Sequence, residues 1–242
     1  GQWISFQVEP YKGDGKVVLS NEQGGQQQIF PRGKKMKFSP ESDFLVFLIK
    51  PYYDSIRQMK LDKIPKEKRT KDSLGIYVMK DHALKKYENV SSYQLAEEKS
   101  NWIVFHHGTS QEGDTVAQEE DEREVVKDDD APKAAPLTII NPLTSKEYTF
   151  EDVTDYTISD DGSLITFVQL QNDSLIKSIV YTFDTKKEME KPIFSEVGLV
   201  KKLIVDKKGE QLAFIYTQDT IQSKVYSLYF TENLKETPNC IV

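Results

Sequence analysis

KFSPESDFLVF (residues 37–47) decides how this chain is read. An apolar-polar-apolar lead closes on Ser39-Pro40. A short polar turn follows, Glu41-Ser42-Asp43, and then the apolar run Phe44-Leu45-Val46-Phe47. Taken alone, this is one β-hairpin. It does not stand alone. MKFSPESDFLVFLI (36–49) aligns with YTISDDGSLITFVQL (156–170) and LIVDKKGEQLAFIYT (203–217), and more loosely with YQLAEEKSNWIVFHH (93–107). Each copy is a short strand, a polar turn and an apolar strand. Phe47, Phe105, Phe167 and Phe214 fall in register on the second strand. Trp3-Ile4-Ser5-Phe6 reads as a fifth copy whose turn is missing.

The Phe anchors, starting from Phe6, are 41, 58, 62 and 47 residues apart. A β-propeller blade takes about 40–50 residues. The two long separations contain the two compositionally odd segments of the chain, as insertions into a regular repeat would. The second half of each unit also recurs. Val17-Val18-Leu19 leads through a Gly-Gly turn to Ile29-Phe30. Ile76-Tyr77-Val78 leads through Asp81-His82 to Tyr87. Ile139-Ile140 leads through Asn141-Pro142 to Tyr148. Val180-Tyr181 leads through Asp184-Thr185 to Phe194, and Tyr226 to Tyr229 leads on to Asn233-Leu234.

Four short antiparallel strands repeated in this way predict an all-β fold, a β-propeller with TolB-like four-stranded blades. About five blade units are expected, the first without its leading strand. One such sheet has two apolar faces, and stacking sheets around an axis covers both. A plain β-sandwich is the competing reading, but it gives no reason for the turn-then-Phe pattern to recur. Residues 1–242 are thus expected to form a single propeller segment with insertions at 51–72 and 109–135.

The 51–72 insertion, PYYDSIRQMKLDKIPKEKRTKD, predicts about two helical turns from Asp54, a candidate N-cap, followed by a basic tail. That tail is either a solvated face or a docking patch for an acidic partner or neighbouring domain. The 109–135 insertion holds ten of the 39 acids and three of the 32 bases. It therefore carries the whole net charge of −7 and leaves the rest neutral, with 29 of each sign. A flexible acidic loop is expected there, because Val125-Val126 is too little apolar surface to repay ordering. Asp128-Asp129-Asp130 lacks the spaced ligands and glycine of a calcium loop. With no basic surplus elsewhere, nucleic-acid binding gains no support. No apolar run approaches the ~18 residues of a membrane span. The single cysteine, Cys240, excludes an internal disulfide. The chain opens at Gly1-Gln2-Trp3 without a methionine, as a trimmed chain does; a cleaved leader is also compatible.

Catalytic constellations are sparse. No G-x-S-x-G nucleophile elbow exists; the nearest string, residues 108–113, is one residue too long and puts Ser110 in the acidic loop. His106 and His107 are expected on opposite faces of a strand, and His82 in a turn, so no Cys/His metal spacing forms. No Walker or dinucleotide fingerprint is present. No catalytic, cofactor-binding or metal site is assigned, and no cofactor is expected. Asp160-Asp161 and Glu97-Glu98 fall in expected turns, although carboxylate pairs leave a five-bladed glycosidase open. Asn89-Val90-Ser91 and Asn172-Asp173-Ser174 match the glycosylation sequon weakly.

Four stretches carry a family resemblance: WISFQVEPY (3–11), FSPES (38–42), KPYYD (50–54) with Ile56-Arg57, and KDSLGIY (71–77). Together with the repeats, they resemble the N-terminal β-propeller of the prolyl oligopeptidase family of serine peptidases, in particular exported members of Bacteroidetes-type bacteria. The resemblance covers most of the chain. The Ser-Pro-x-Ser unit is shared by many TolB-like propellers, whereas the Lys-Pro-x-Tyr-Asp…Lys-Asp-Ser-Leu-Gly combination is more specific. In that family the propeller gates and selects peptides for a C-terminal α/β-hydrolase domain with a Ser-Asp-His triad. That domain is absent from these 242 residues, so the resemblance implies peptidase parentage and an inactive chain. It also implies a periplasmic or extracellular location. Family propellers have seven or eight blades, so an open partial propeller is expected, able to self-associate through its open edges. A stand-alone TolB-like propeller serving as a protein-interaction scaffold is the alternative.

Overall fold

The computed structural model describes residues 3–21, 27–108, 133–172, 175–219, 224–234 and 236–241. Most of the acidic insertion lies outside these residues, with Ser110, Asp128-Asp129-Asp130, Asp173 and Ser174. The strands fall into five antiparallel units. Unit one is β1 (Trp3–Val8), β2 (Lys16–Asn21) and β3 (Gln27–Pro31). Unit two is β4 (Gly33–Phe38), β5 (Phe44–Ile49), β6 (Asp72–Val78) and the first part of β7 (Ala83–Leu95). Unit three is the rest of β7, β8 (Ile103–His107), β9 (Ala135–Asn141) and the first part of β10 (Lys146–Ile158). Unit four is the rest of β10, β11 (Leu164–Asn172), β12 (Ile176–Asp184) and β13 (Met189–Val197). Unit five is β14 (Leu199–Val205), β15 (Leu212–Thr217), β16 (Ser227–Thr231) and the two-residue β17 (Asn239–Cys240).

β7 and β10 are each shared by two units. β7 pairs with β6 through residues 83–90 and with β8 through 90–95; β10 passes from β9 to β11 in the same way at Val153. The outer strand of one blade therefore becomes the inner strand of the next without a loop. Every such passage is marked by a left-handed residue: Arg32 (φ 60°), Asn89 (φ 55°), Asp152 (φ 54°) and Gly198 (φ 141°). A left-handed residue turns the chain sharply within an otherwise extended path. Asn and Asp adopt this conformation more readily than other side chains. Arg32 does so under tertiary restraint: its amide donates to the Gly15 carbonyl (2.7 Å), and its carbonyl accepts the Lys50 amide (2.9 Å).

The turn that opened the sequence reading has a common construction in units two, four and five. Ser39, Ser159 and Asp206 occupy the same place. Each amide bonds the carbonyl five residues on, and each carbonyl accepts an amide three residues on, from Ser42, Gly162 or Gly209. Those three amide donors are all left-handed (φ 61°, 65° and 68°). The side-chain oxygen caps the turn from inside. Ser39 Oγ accepts the Asp43 and Phe44 amides, Ser159 Oγ accepts the Leu164 amide, and Asp206 Oδ1 accepts the Glu210 and Gln211 amides. Asx and Ser/Thr side chains serve turns in this way. Unit three has Ala96 at this position, which accounts for its looser match.

Four apolar cores lie between successive units. Phe47 packs with Val17, Leu19 and Phe30; Phe105 with Phe44, Val46 and Leu74; Phe167 with Trp102, Val104 and Ile139; Phe214 with Val168, Val180 and Ile193. Every aligned Phe thus points at the preceding unit. Each also meets an aromatic ring on that unit's outer strand: Phe30 at 4.6 Å, Tyr87 at 4.8 Å, Phe150 at 4.5 Å and Phe194 at 5.0 Å between centroids. The alternate residues of each central strand feed the next core, which is why all six residues of β5 are buried. A strand buried on both faces reads as continuous apolar sequence.

The two ends of the array are open. Phe6 sits in the register of the other four Phe residues, but no described unit packs on it, and it is 43% exposed, between Ile4 (57%) and Val8 (39%). At the other end Ile204 (63%) and Ile241 (55%) are uncovered. The arrangement is an open propeller of five blade units. No helix among the described residues is long and apolar enough to cross a membrane.

The first insertion forms α1 (Tyr53–Leu61) and a 3-10 turn at Lys66–Lys68. Asp54 is not the N-cap. Tyr52 holds that place and makes no side-chain cap bond; Asp54 lies in the first turn, where its charge favours the helix dipole. The capping oxygen comes from elsewhere: Asp14 Oδ1 accepts the Tyr53 amide at 2.8 Å. An acceptor from a distant loop makes a local cap unnecessary.

Candidate functional site

The residues singled out for chemistry serve the scaffold. His106 Nε2 lies 2.7 Å from the Val153 carbonyl and 3.1 Å from that of Ala135, tying unit three to the passage into unit four. His107 turns to the other side, with Nε2 3.1 Å from Thr138 Oγ1; its desolvation pushes its pKa down. His82 is left-handed (φ 50°) in the β6–β7 turn, and its Nδ1 meets the Tyr77 hydroxyl at 2.9 Å. The carboxylate pairs stitch turns of neighbouring blades. The Glu97 and Glu98 amides both donate to the Asp160 carbonyl, and the Asp161 amide donates to that of Lys207. Burial pulls the Asp161 pKa up, but hydrogen bonds from the Ser159 hydroxyl (2.7 Å) and the Ser163 amide (2.9 Å) outweigh it, and the net shift is down. Cys240 is exposed on the last strand. Asn89, in the first sequon, donates through Nδ2 to the Gly108 carbonyl at 2.9 Å, while Ser91 Oγ donates to the carbonyls of His106 and His107.

A small groove between units two and three gathers Tyr87, His107, Thr138 and Glu147. Lys85 Nζ and the Tyr87 hydroxyl both bond Glu147 Oε2, at 2.9 and 2.8 Å. Burial and the Glu147 carboxylate together push the Tyr87 pKa up. Both donors thus converge on one carboxylate oxygen.

The larger site is a cavity of 860 Å³ beside units one and two. Three pieces of chain build most of it: the loop after β1, the left-handed passage at Arg32-Gly33, and the run from Lys50 through the insertion with α1 to the start of β6, with Val90 and Ser91 at its edge. Its organiser is Arg32. The guanidinium donates through Nη1 to the Lys50 carbonyl (2.8 Å), and its carbon stands 4.0 Å from the centre of the Tyr52 ring, a cation–π contact. Lys50 Nζ pairs with Asp72 at 2.7 Å, Lys34 with Glu9 at 2.8 Å, and Arg69 Nε donates to the Ile64 carbonyl at 2.8 Å.

Three of the four stretches that carry the family resemblance meet here. Glu9, Pro10 and Tyr11 come from WISFQVEPY, Lys50, Pro51 and Tyr53 from KPYYD, and Lys71 and Asp72 from KDSLGIY, the last two flanking one insertion; FSPES (38–42) does not line the cavity. Sequence reasoning quoted these segments without seeing that they share a wall, and it missed Asp14 and Arg32 altogether. Asp14 stands 39 residues before the helix it caps, and Arg32 carries no local signal of its left-handed backbone.

No protein-family model matches the chain, and no curated protein matches it significantly. Solved structures of similar architecture do exist. Acylaminoacyl peptidase from Pyrococcus horikoshii is 12% identical with a TM-score of 0.48; the likeness covers 96% of this chain and 36% of the peptidase. The β-propeller domain of the trilobed protease from Pyrococcus furiosus, described as having an open velcro topology, is 12% identical with a TM-score of 0.48, over 96% of this chain and 66% of that one. TolB from Acinetobacter baumannii is 8% identical with a TM-score of 0.42, over 99% and 52%. This chain thus spans about a third of the acylaminoacyl peptidase. At these identities the likeness concerns backbone architecture alone, and the chain's own strand pairing and inter-blade cores establish its five-unit propeller form.

Proposed function

We propose that this chain is the non-catalytic propeller portion of a serine peptidase of the prolyl oligopeptidase type. It gates and selects peptides for an α/β-hydrolase domain in cis. The observation that carries this reading is the meeting at one cavity of Glu9-Pro10-Tyr11 with the run from Lys50 to Asp72, stretches that resemble that family and lie far apart in the sequence. Turn signatures shared by chance among propellers need not meet in this way; the remaining stretch, FSPES (38–42), forms a blade turn and does not line the cavity. The resemblance also supports export to the periplasm or exterior and a Bacteroidetes-type source. The chain alone is expected to leave a chromogenic proline-containing peptide uncleaved at every enzyme concentration. Turnover that survives purification to constant specific activity would refute the assignment of a non-catalytic chain.

The exposed face of unit one favours a second reading for association. Ile4, Phe6, Val8 and Ile29 form an apolar surface in the register that elsewhere receives a neighbouring blade. We infer that a second copy covers it when no further blade does. Sedimentation equilibrium is expected to show concentration-dependent dimerisation that Phe6→Glu abolishes. A strict monomer at millimolar concentration contradicts it.

A further inference from the structure

The cavity beside units one and two has an unusual charge balance. Seven bases line it, Lys12, Arg32, Lys34, Lys50, Lys66, Arg69 and Lys71, against three carboxylates, Glu9, Asp14 and Asp72. Every carboxylate is already engaged. Glu9 and Asp72 neutralise Lys34 and Lys50, and Asp14 caps α1. Among the described side chains, Lys12, Arg32, Lys66, Arg69 and Lys71 have no carboxylate partner.

Three of these cations are held by neutral groups. Arg32 bonds the Lys50 carbonyl and faces the Tyr52 ring, Arg69 bonds the Ile64 carbonyl, and Lys71 Nζ reaches the Lys66 carbonyl at 3.4 Å. Carbonyls orient a cation without cancelling its charge. A guanidinium has five N–H donors, so each arginine keeps donors for a carboxylate. Ordering the two arginine side chains in advance lowers the entropic cost of binding. This basic pocket belongs to a chain of net charge −7, so its attraction is local.

We propose that this cavity binds an acidic polypeptide segment, its side-chain carboxylates gripped by Lys66, Arg69 and Lys71 on the insertion and by Lys12 and Arg32 opposite. The volume lies in the range that encloses a short peptide-sized ligand. Pro10, Tyr11, Pro51, Tyr53 and Ile56 line it between the charges and suit a segment in which acids alternate with neutral residues. The proposal does not depend on the peptidase reading.

The test is fluorescence anisotropy of the full chain with fluorescein-labelled (Glu-Gly)₃, with (Lys-Gly)₃ and an oligothymidylate of equal charge magnitude as comparisons. The acidic peptide is expected to bind saturably, weakening with salt. Lys66→Ala/Arg69→Ala/Lys71→Ala is expected to lose at least tenfold in affinity, and Lys202→Ala/Lys208→Ala, on unit five, to lose none. Circular dichroism and the melting temperature establish that each variant is folded. Should the triple variant fail to fold, Lys12→Glu on the exposed loop is expected to weaken binding at least threefold. No saturation by millimolar peptide, equal affinity in the cavity variants, or tighter binding of the oligothymidylate each overturns the proposal.

Discussion

Replacing Phe47 and Phe6 by alanine, separately, asks whether the blade register governs stability. The two residues hold equivalent places, 41 residues apart. Phe47 is fully buried, with its ring 4.6 Å from that of Phe30. Truncating a buried Phe costs about 3–5 kcal/mol from lost transfer energy and the cavity left behind. Phe6 keeps 43% of its surface in water, so its truncation forfeits only part of the roughly 1.5–3 kcal/mol of full burial, about 1 kcal/mol. For a chain of this size 1 kcal/mol shifts Tm by about 2–4 °C. Phe47→Ala is therefore expected to lower Tm by roughly 6–20 °C, and Phe6→Ala by about 2–4 °C.

Gly75 sharpens the test. A Cβ there would stand 2.7 Å from the Phe47 ring, so Gly75→Ala is destabilising in the native chain. In the Phe47→Ala background the ring contact is gone and only the tip of Ile49 stays close, at 3.2 Å, so the same change is expected to cost less. A double-mutant cycle should return a coupling of about 1–3 kcal/mol. Urea unfolding followed by tryptophan emission suits the purpose, because Trp3 packs against the core that holds Phe47. Equal losses for Phe6→Ala and Phe47→Ala, or no coupling with Gly75, would refute the inter-blade account.

Asp14→Ala removes the oxygen that caps α1 from a distant loop, and is expected to cost about 1 kcal/mol and to raise amide exchange at Tyr53. Ser159→Ala leaves the Leu164 amide without its side-chain acceptor and Asp161 without its hydroxyl donor; a loss of about 1–2 kcal/mol by urea unfolding is expected, with Ser159→Thr milder. His107 is pushed by burial to a folded pKa below its unfolded value, so its contribution is whole above the unfolded pKa near 6.5 and is lost as pH falls through the folded one. Stability measured from pH 7 to pH 5 should fall less steeply in His107→Gln than in the native chain.

What was legible in the sequence is what each blade repeats locally. The Phe register could be read because a strand packed on both faces must be apolar throughout, and the Ser39 and Ser159 turns because their chemistry spans five residues. The insertions showed themselves as excess spacing. Three features were not legible. The passages at Arg32, Asn89 and Asp152 are left-handed without glycine, so the fusion of outer and inner strands in β7 and β10 left no mark. Tyr148 and Phe150, two apart on one face of β10, both pack on the core of Phe167, and only the fold shows that Phe150 is the one that meets its ring, at 4.5 Å. The cavity draws on residues from Glu9 to Ser91, and no local pattern records which of them will meet.

The reading frame downstream of the Val242 codon tests the proposed parentage most directly. The account predicts that it runs on without interruption through an α/β-hydrolase domain, on the order of 200–250 residues, carrying G-x-S-x-G with Asp and His after the serine. A stop codon directly after Val242 in the native gene contradicts it and leaves a free-standing propeller.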